Sequence, residues 1–277
     1  MRLFVPFVVT ALLAVSCAPR TLGQNTAGPG TTAASPAPAA AAARALPRTA
    51  DGRPDLQGIW QVRNRAAYGL EDHAARHLMP PGKGVVQGGT IPYLPAAAKQ
   101  REQNFAMRYE ADPLASCYLP GVPRIMYMEH PFQIFQTAET VAMTFEWSLV
   151  HRIIHTNGSK PADGIDFWMG DARGAWQGDS LVVNVTNHND RTWFDMAGNF
   201  HSEAMTLVER YTMRDPDTIQ YEVTVTDPKT FSRPWTMSMP LYRHKDMDRL
   251  LEYHCQAELE EVNGAFERDP RTWYPGR

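Results

Sequence analysis

Beyond Val122 the chain alternates apolar and polar residues with a period of two. This is the signature of strands with one buried face. The alternation runs through Phe132-Gln-Ile-Phe, Val141 to Trp147, Leu149 to Thr156, Leu181 to Val185, Met205 to Met213, Ile219 to Val225, Trp235 to Leu241 and Leu250 to Cys255. Turn residues separate these runs: Asn157-Gly158, Gly178-Asp179, Asp215-Pro-Asp-Thr218 and Asp227-Pro228. Earlier, Leu56, Ile59 and Trp60 anchor a first strand, and the Gly- and Pro-rich stretch from Ala66 to Gly89 reads as irregular cover. The spacing predicts one helix, Pro95 to Tyr109, with proline at its start and Phe105 and Met107 turned inward near its end. About nine or ten short strands without alternating helices form an antiparallel meander. Such a meander must protect its edges. The expected fold is mainly β: an up-and-down, lipocalin-like barrel or a curled sandwich, with one N-terminal helix.

The N-terminus follows another pattern. Residues Met1 to Cys17 combine Arg2 with the apolar run Leu3 to Val15, which is short for a bilayer span, and read as an export signal. The run ends in Ala14-Val15-Ser16-Cys17, which resembles a bacterial lipobox with Cys17 as the lipidated residue, although Ala14 stands where leucine is preferred. The alternative is an ordinary signal peptide cut near Ala18 or Gly23. Residues 18–50 are rich in Ala, Pro, Thr and Gly and read as a disordered tether, so a single domain is expected over 51–277. The expected location is the periplasm or outer membrane with a lipid anchor, or a soluble periplasmic or secreted state if the signal is ordinary.

Composition narrows the function classes. In 277 residues, 27 basic and 30 acidic side chains give a net charge of -3, which provides no broad electrostatic surface for nucleic acid. Three cysteines are too few for a disulfide-stapled scaffold or a Cys-rich metal module. With Cys17 assigned to the anchor, Cys117 and Cys255 remain as an even pair in an oxidising compartment. They are expected to form a disulfide, the other reading being two buried thiols.

Several ionisable residues stand out. Glu209 lies on the apolar face of its strand with Leu207 and Tyr211, where a carboxylate is costly unless it is paired. It is read either as a buried ion pair with an arginine of a neighbouring strand or as an acid/base or ligand-anchoring group. His151 and His155 share one face of a strand about 13 Å apart, too far for one metal ion. The long connection Asn187 to Ser202 gathers His188, Asp190, Arg191, Trp193, Phe194, Asp195, Asn199 and His201. Long ordered loops are commonly functional, so Asp195 is expected to orient His201 as an acid/base pair, with Trp193 and Phe194 as apolar walls. The other reading is a loop pinned by its aromatics.

The segments Phe167-Trp-Met-Gly-Asp-Ala-Arg-Gly-Ala-Trp-Gln-Gly-Asp-Ser-Leu-Val-Val183, Thr192-Trp-Phe-Asp195, Gly198-Asn-Phe-His-Ser202 and Glu209-Arg210 are distinctive. With Pro54-Asp-Leu-Gln-Gly-Ile-Trp60 and Cys117-Tyr-Leu-Pro-Gly-Val-Pro-Arg124, they resemble a functionally unassigned family of exported bacterial (lipo)proteins. The resemblance covers nearly all of the chain after Asp51. It implies export and a shared β-rich fold, and brings no catalytic residue with it.

Serine-hydrolase elbows, phosphate loops, dinucleotide fingerprints and zinc helices are absent from the sequence. Two functional expectations follow. One is cofactor-independent, metal-free acid/base chemistry (hydrolysis, isomerisation or elimination) in the barrel cavity. Its catalytic residues are His201, Asp195, Glu209 and His155, and its ligand-contacting residues are His151, His188, Trp193, Phe194 and Tyr211. The other is a binding or carrier lipoprotein whose cavity holds an apolar or sugar-like small molecule, lined by a chain with 13 Met, 7 Trp and 10 Tyr. A third reading, an envelope interaction module, goes with a solidly packed barrel. In each case the membrane is reached only through the N-terminal anchor.

Overall fold

A computed structural model describes residues 45–264. The signal segment, Cys17 and most of the expected tether lie outside the described residues. Nine strands close into a barrel in sequence order: β1 Gly58–Val62, β2 Phe132–Gln136, β3 Thr140–Phe145, β4 His151–His155, β5 Asp171–Gln177, β6 Ser180–Thr186, β7 Thr206–Asp215, β8 Thr218–Thr226 and β9 Trp235–Arg243. β9 pairs antiparallel with β1 to close the ring. Every other pairing is antiparallel except β4 with β5, which run parallel and meet at only two positions, Ile154 to Ala172 and His155 to Arg173. The barrel is therefore mixed, where a purely antiparallel meander was expected.

Strand alternation sorts the side chains. Leu207, Glu209, Tyr211 and Met213 of β7, Ile219, Tyr221, Val223 and Val225 of β8, and Trp235, Met237, Met239 and Leu241 of β9 all point inward and are buried. Their outward neighbours are mostly Thr, Ser, Gln, Arg and Glu, and some join across strands, as in Thr224 with Thr236 (2.9 Å) and Ser180 with Thr212 (2.7 Å). An apolar inside with a polar outside is the reverse of a bilayer-spanning barrel. No helix among the described residues is long and apolar enough to cross a membrane.

The direction of the strands sends every long connection to one end. The turns at the other end are short: 137–139, 178–179 and 216–217. The loop-bearing end receives the segment 63–131, the β3–β4 turn, the loops 187–205 and 227–234, and the last residues of the long β4–β5 connection. The segment 63–131 carries α1 (Pro95–Ala106), the single turn α2 (Arg108–Ala111) and the 3-10 turns Pro113–Ser116 and Arg124–Tyr127. α1 ends earlier than the spacing predicts, and Met107 is 56% exposed where an inward position was expected. Phe105 instead lies under the guanidinium groups of Arg76, Arg101 and Arg108.

Two further elements differ from the reading of the sequence. β5 escapes the alternation test because its inward positions include Ala172 and Gly174, which carry little or no side chain. A Cβ at Gly174 would stand 2.9 Å from Ile154 Cγ2. Residues 250–255 form no strand, because β1 has already taken the free edge of β9. They run instead as a strap across the β3–β4 turn and continue into α3 (Cys255–Val262), none of whose residues is buried. The strap is tied down by the Cys117–Cys255 disulfide, with Cα atoms 5.6 Å apart.

Candidate functional site

The barrel interior is filled. The inward residues of β7, β8 and β9 are essentially unexposed and packed against one another. No ligand-sized cavity lies against them, contrary to the expected cavity. Glu209 is also spoken for. Arg152 of β4 crosses the interior to meet its carboxylate, with Nη1 3.0 Å from Oε1 and Nη2 in contact with Oε2. Tyr211 and Tyr221 donate to the same Oε1 at 3.0 and 2.7 Å. Burial works against the Arg152 charge, but the Glu209 carboxylate more than offsets it and holds the guanidinium above its ordinary value. Glu209 is therefore the paired carboxylate of the first expectation, although its partner lies across the barrel and not on an adjacent strand. Tyr211 is a member of this cluster, fully enclosed.

The loop that follows β6 folds down as a plug over the end of the barrel. Phe194 packs edge-on against Trp235 and lies 5.3 Å from the His201 ring. Asp195 does not orient His201. Its carboxylate accepts from Leu70 N (2.7 Å), Asn199 Nδ2 (2.6 Å) and Asn199 N (3.1 Å), which pins the loop to the 63–131 segment. His201 Nδ1 donates to the Ser202 carbonyl at 3.0 Å, so Nε2 accepts from the Thr192 hydroxyl at 2.7 Å. Burial holds His201 below its ordinary pKa, and burial with His201 and Arg152 nearby pulls His188 down to about 3, so both rings are neutral. Burial pushes Asp195 up to about 6 against its hydrogen bonds. His188 Nε2 has no hydrogen-bond partner among the described residues. Trp193 is half-buried and bridges to Phe200. The loop thus matches the reading in which aromatics and internal hydrogen bonds pin it.

His151 and His155 lie on the outer face of β4, while Arg152 and Ile154 point in. His155 sits at the far end of that strand and makes no side-chain hydrogen bond among the described residues. His151 opens onto a largely apolar cleft of about 510 Å³. One wall is Leu149 and Val150 of the β3–β4 turn, another is Leu119, and the floor is Phe167, Trp168 and Met169, with Asp166 and His151 as the ionisable groups. Sequence reasoning missed this cleft, because three segments distant in the chain build it.

The floor and the β3–β4 wall are each fixed by an identifiable device. Phe167 N donates to Asn187 O (2.7 Å) and Asn189 N to Phe167 O (3.2 Å), while Asn187 Nδ2 reaches the carbonyls of Ala162 and Ile165 at 2.8 and 2.9 Å. Gly170 (φ +64°) brings the floor down onto His188, where a Cβ would stand 2.6 Å from Cε1. In the β3–β4 turn, Ser148 and Leu149 both take left-handed backbone, φ 51° and 52°. That conformation suits the twist of a two-residue hairpin but is costly for leucine. The strap holds the turn: Ser148 N donates to Tyr253 O (2.8 Å) and Cys255 N to Ser148 Oγ (3.2 Å). Leu149 is left 48% exposed at the cleft mouth.

Among the described residues, no group of three or more His, Cys, Asp or Glu is placed to hold a metal ion. The chain matches no known protein-family profile and no curated protein.

Proposed function

We propose that this protein binds and carries a small, largely apolar ligand in the cell envelope, holding it in the Trp168 cleft at the loop-bearing end of the barrel. The observation that carries this reading is a contrast. Glu209, Asp195 and His201 are buried and hydrogen-bonded to other protein groups, while the outer cleft has an apolar floor and an exposed leucine held in unfavourable backbone at its mouth. Acid/base catalysis loses its support, because Asp195 and His201 have separate partners. Export, with Cys17 as a lipid anchor and membership of the exported family, belongs to the same proposal and is supported by the N-terminal sequence and the quoted motifs.

Native mass spectrometry of the full chain recovered from its envelope tests this reading. The expected result is one unmodified apolar molecule per chain, lost in Trp168→Ala. Chemical conversion of the bound molecule by the purified protein, or retention of the molecule in Trp168→Ala, overturns it.

A further inference from the structure

Behind Trp168 lies a second cleft, of about 390 Å³, lined by α2, the 3-10 turn Pro113–Ser116, Tyr118 and Arg191. Trp168 borders both clefts. Its ring stacks on Tyr118 with centroids 5.4 Å apart and planes 14° from parallel, and the Arg191 guanidinium lies 6.0 Å from its centre. Tyr118 is 55% exposed even so. One face of its ring lies against Trp168, and the residue lines this cleft.

The polar groups here are uncommitted. Among the described residues, the side chains of Glu110, Ser116 and Tyr118 make no hydrogen bond or ion pair, and Arg191 has only its contact with Trp168. Asp112, at the back, is taken by Arg124 in a buried two-pronged pair at 2.8 and 2.7 Å. The cleft therefore offers one free carboxylate, one free guanidinium, two hydroxyls and an aromatic face. An anionic head would meet Glu110, and Asp166 beyond the tryptophan, while a cationic head would meet Arg191. A neutral polyol suits the set: its hydroxyls both donate to Glu110 and accept from Arg191, and its C–H face matches the negative face of the Tyr118 ring.

We propose that this second cleft is a saccharide subsite, and that the ligand is a neutral glycoside whose sugar rests on Tyr118 while its apolar aglycone passes Trp168 into the larger cleft. This rests on the ligand-binding reading above and adds the class of head group.

Isothermal titration calorimetry of the full oxidised chain separates the two claims. The probes are n-octyl β-D-glucoside below its micelle concentration, 1-octanol, octanoate, octyltrimethylammonium and glucose. The glucoside is expected to bind at least about tenfold more tightly than the other octyl compounds. Tyr118→Ala and the double variant Glu110→Gln/Arg191→Gln are each expected to shrink that preference to about threefold or less. Equal binding of all octyl compounds, or tighter binding of octanoate or octyltrimethylammonium, overturns the saccharide subsite and leaves the apolar cleft standing. A glucoside preference that survives both variants also overturns this subsite. Glucose binding as tightly as its octyl derivative overturns the apolar cleft alone. Absence of binding by every probe overturns both.

Discussion

Arg152 and Glu209 meet across the barrel interior from strands that are not neighbours, Nη1 to Oε1 at 3.0 Å, with β5 and β6 between them. A buried pair of this kind costs desolvation on both sides, so its worth appears only when one partner is lost. Glu209→Gln leaves a guanidinium uncompensated and is expected to lower unfolding stability by about 3–5 kcal/mol. Replacing the whole cluster with apolar side chains (Arg152→Met, Glu209→Leu, Tyr211→Phe, Tyr221→Phe) is expected to recover most of that. Urea denaturation of the two variants makes the comparison, and equal losses in both would contradict the pairing argument.

The Cys117–Cys255 bridge spans 138 residues of sequence and fastens the strap to the residues that begin the cleft wall. Cys117→Ser/Cys255→Ser is expected to cost about 2–4 kcal/mol by relaxing the unfolded chain. None of the α3 residues is buried, so the bridge works beside the hydrogen bonds of Leu251 and Tyr253 to the β3–β4 turn. Amide exchange at Ser148 is therefore expected to accelerate far more than exchange at Val223 on β8. Uniform acceleration would mean that the bridge acts only through global stability.

Two buried groups titrate in opposite senses. His188 falls from 6.5 to about 3, so acid protonates the unfolded chain first, and its contribution to stability is present above pH 6.5 and lost as the pH falls toward 3. Asp195 rises from 3.8 to about 6, so the folded state takes its proton first, and its contribution is present below pH 3.8 and lost as the pH rises toward 6. Between those limits the slopes oppose, each up to about 1.4 kcal/mol per pH unit. Asp195→Asn is expected to steepen the rise of stability with pH between 4 and 6, and His188→Gln to flatten or reverse it. Parallel stability–pH curves for the two variants would refute these assignments.

Leu149 holds a left-handed backbone and is about half exposed. Leu149→Gly removes a steric cost of about 1–2 kcal/mol and little burial, so the thermal midpoint is expected to rise. The same change removes apolar surface from the cleft mouth and is expected to weaken ligand binding. A variant that becomes less stable, or that binds unchanged, would show that the residue is there for another reason.

The barrel was legible in the sequence because most of its strands bury large side chains on alternate positions; β7, β8 and β9 can be read almost residue by residue. β5 was not, since Ala172 and Gly174 leave no hydrophobic imprint. Residues 250–255 misled in the other direction: Leu250, Leu251 and Tyr253 look like a strand, but pairing partners are a property of the closed ring and not of the segment. The inward carboxylate at Glu209 and the Cys117–Cys255 bridge were visible from face and parity of count. The cleft was not, because Leu119, Leu149 and Trp168 come from three connections whose meeting is decided by strand direction.

That strand direction has an arithmetic cause. Up and down strands around a closed ring restore the starting direction only when their number is even. With nine, one neighbouring pair has to agree in direction, and here it is β4 with β5. Two strands that agree cannot be joined by a tight turn, so the chain must travel back along the whole barrel before β5 begins. The odd ninth strand is thus what delivers Phe167, Trp168 and Met169 to the end where the β3–β4 turn already waits. With eight or ten strands in this order, residues 156–170 would have no reason to make the journey, and the cleft would lose its floor.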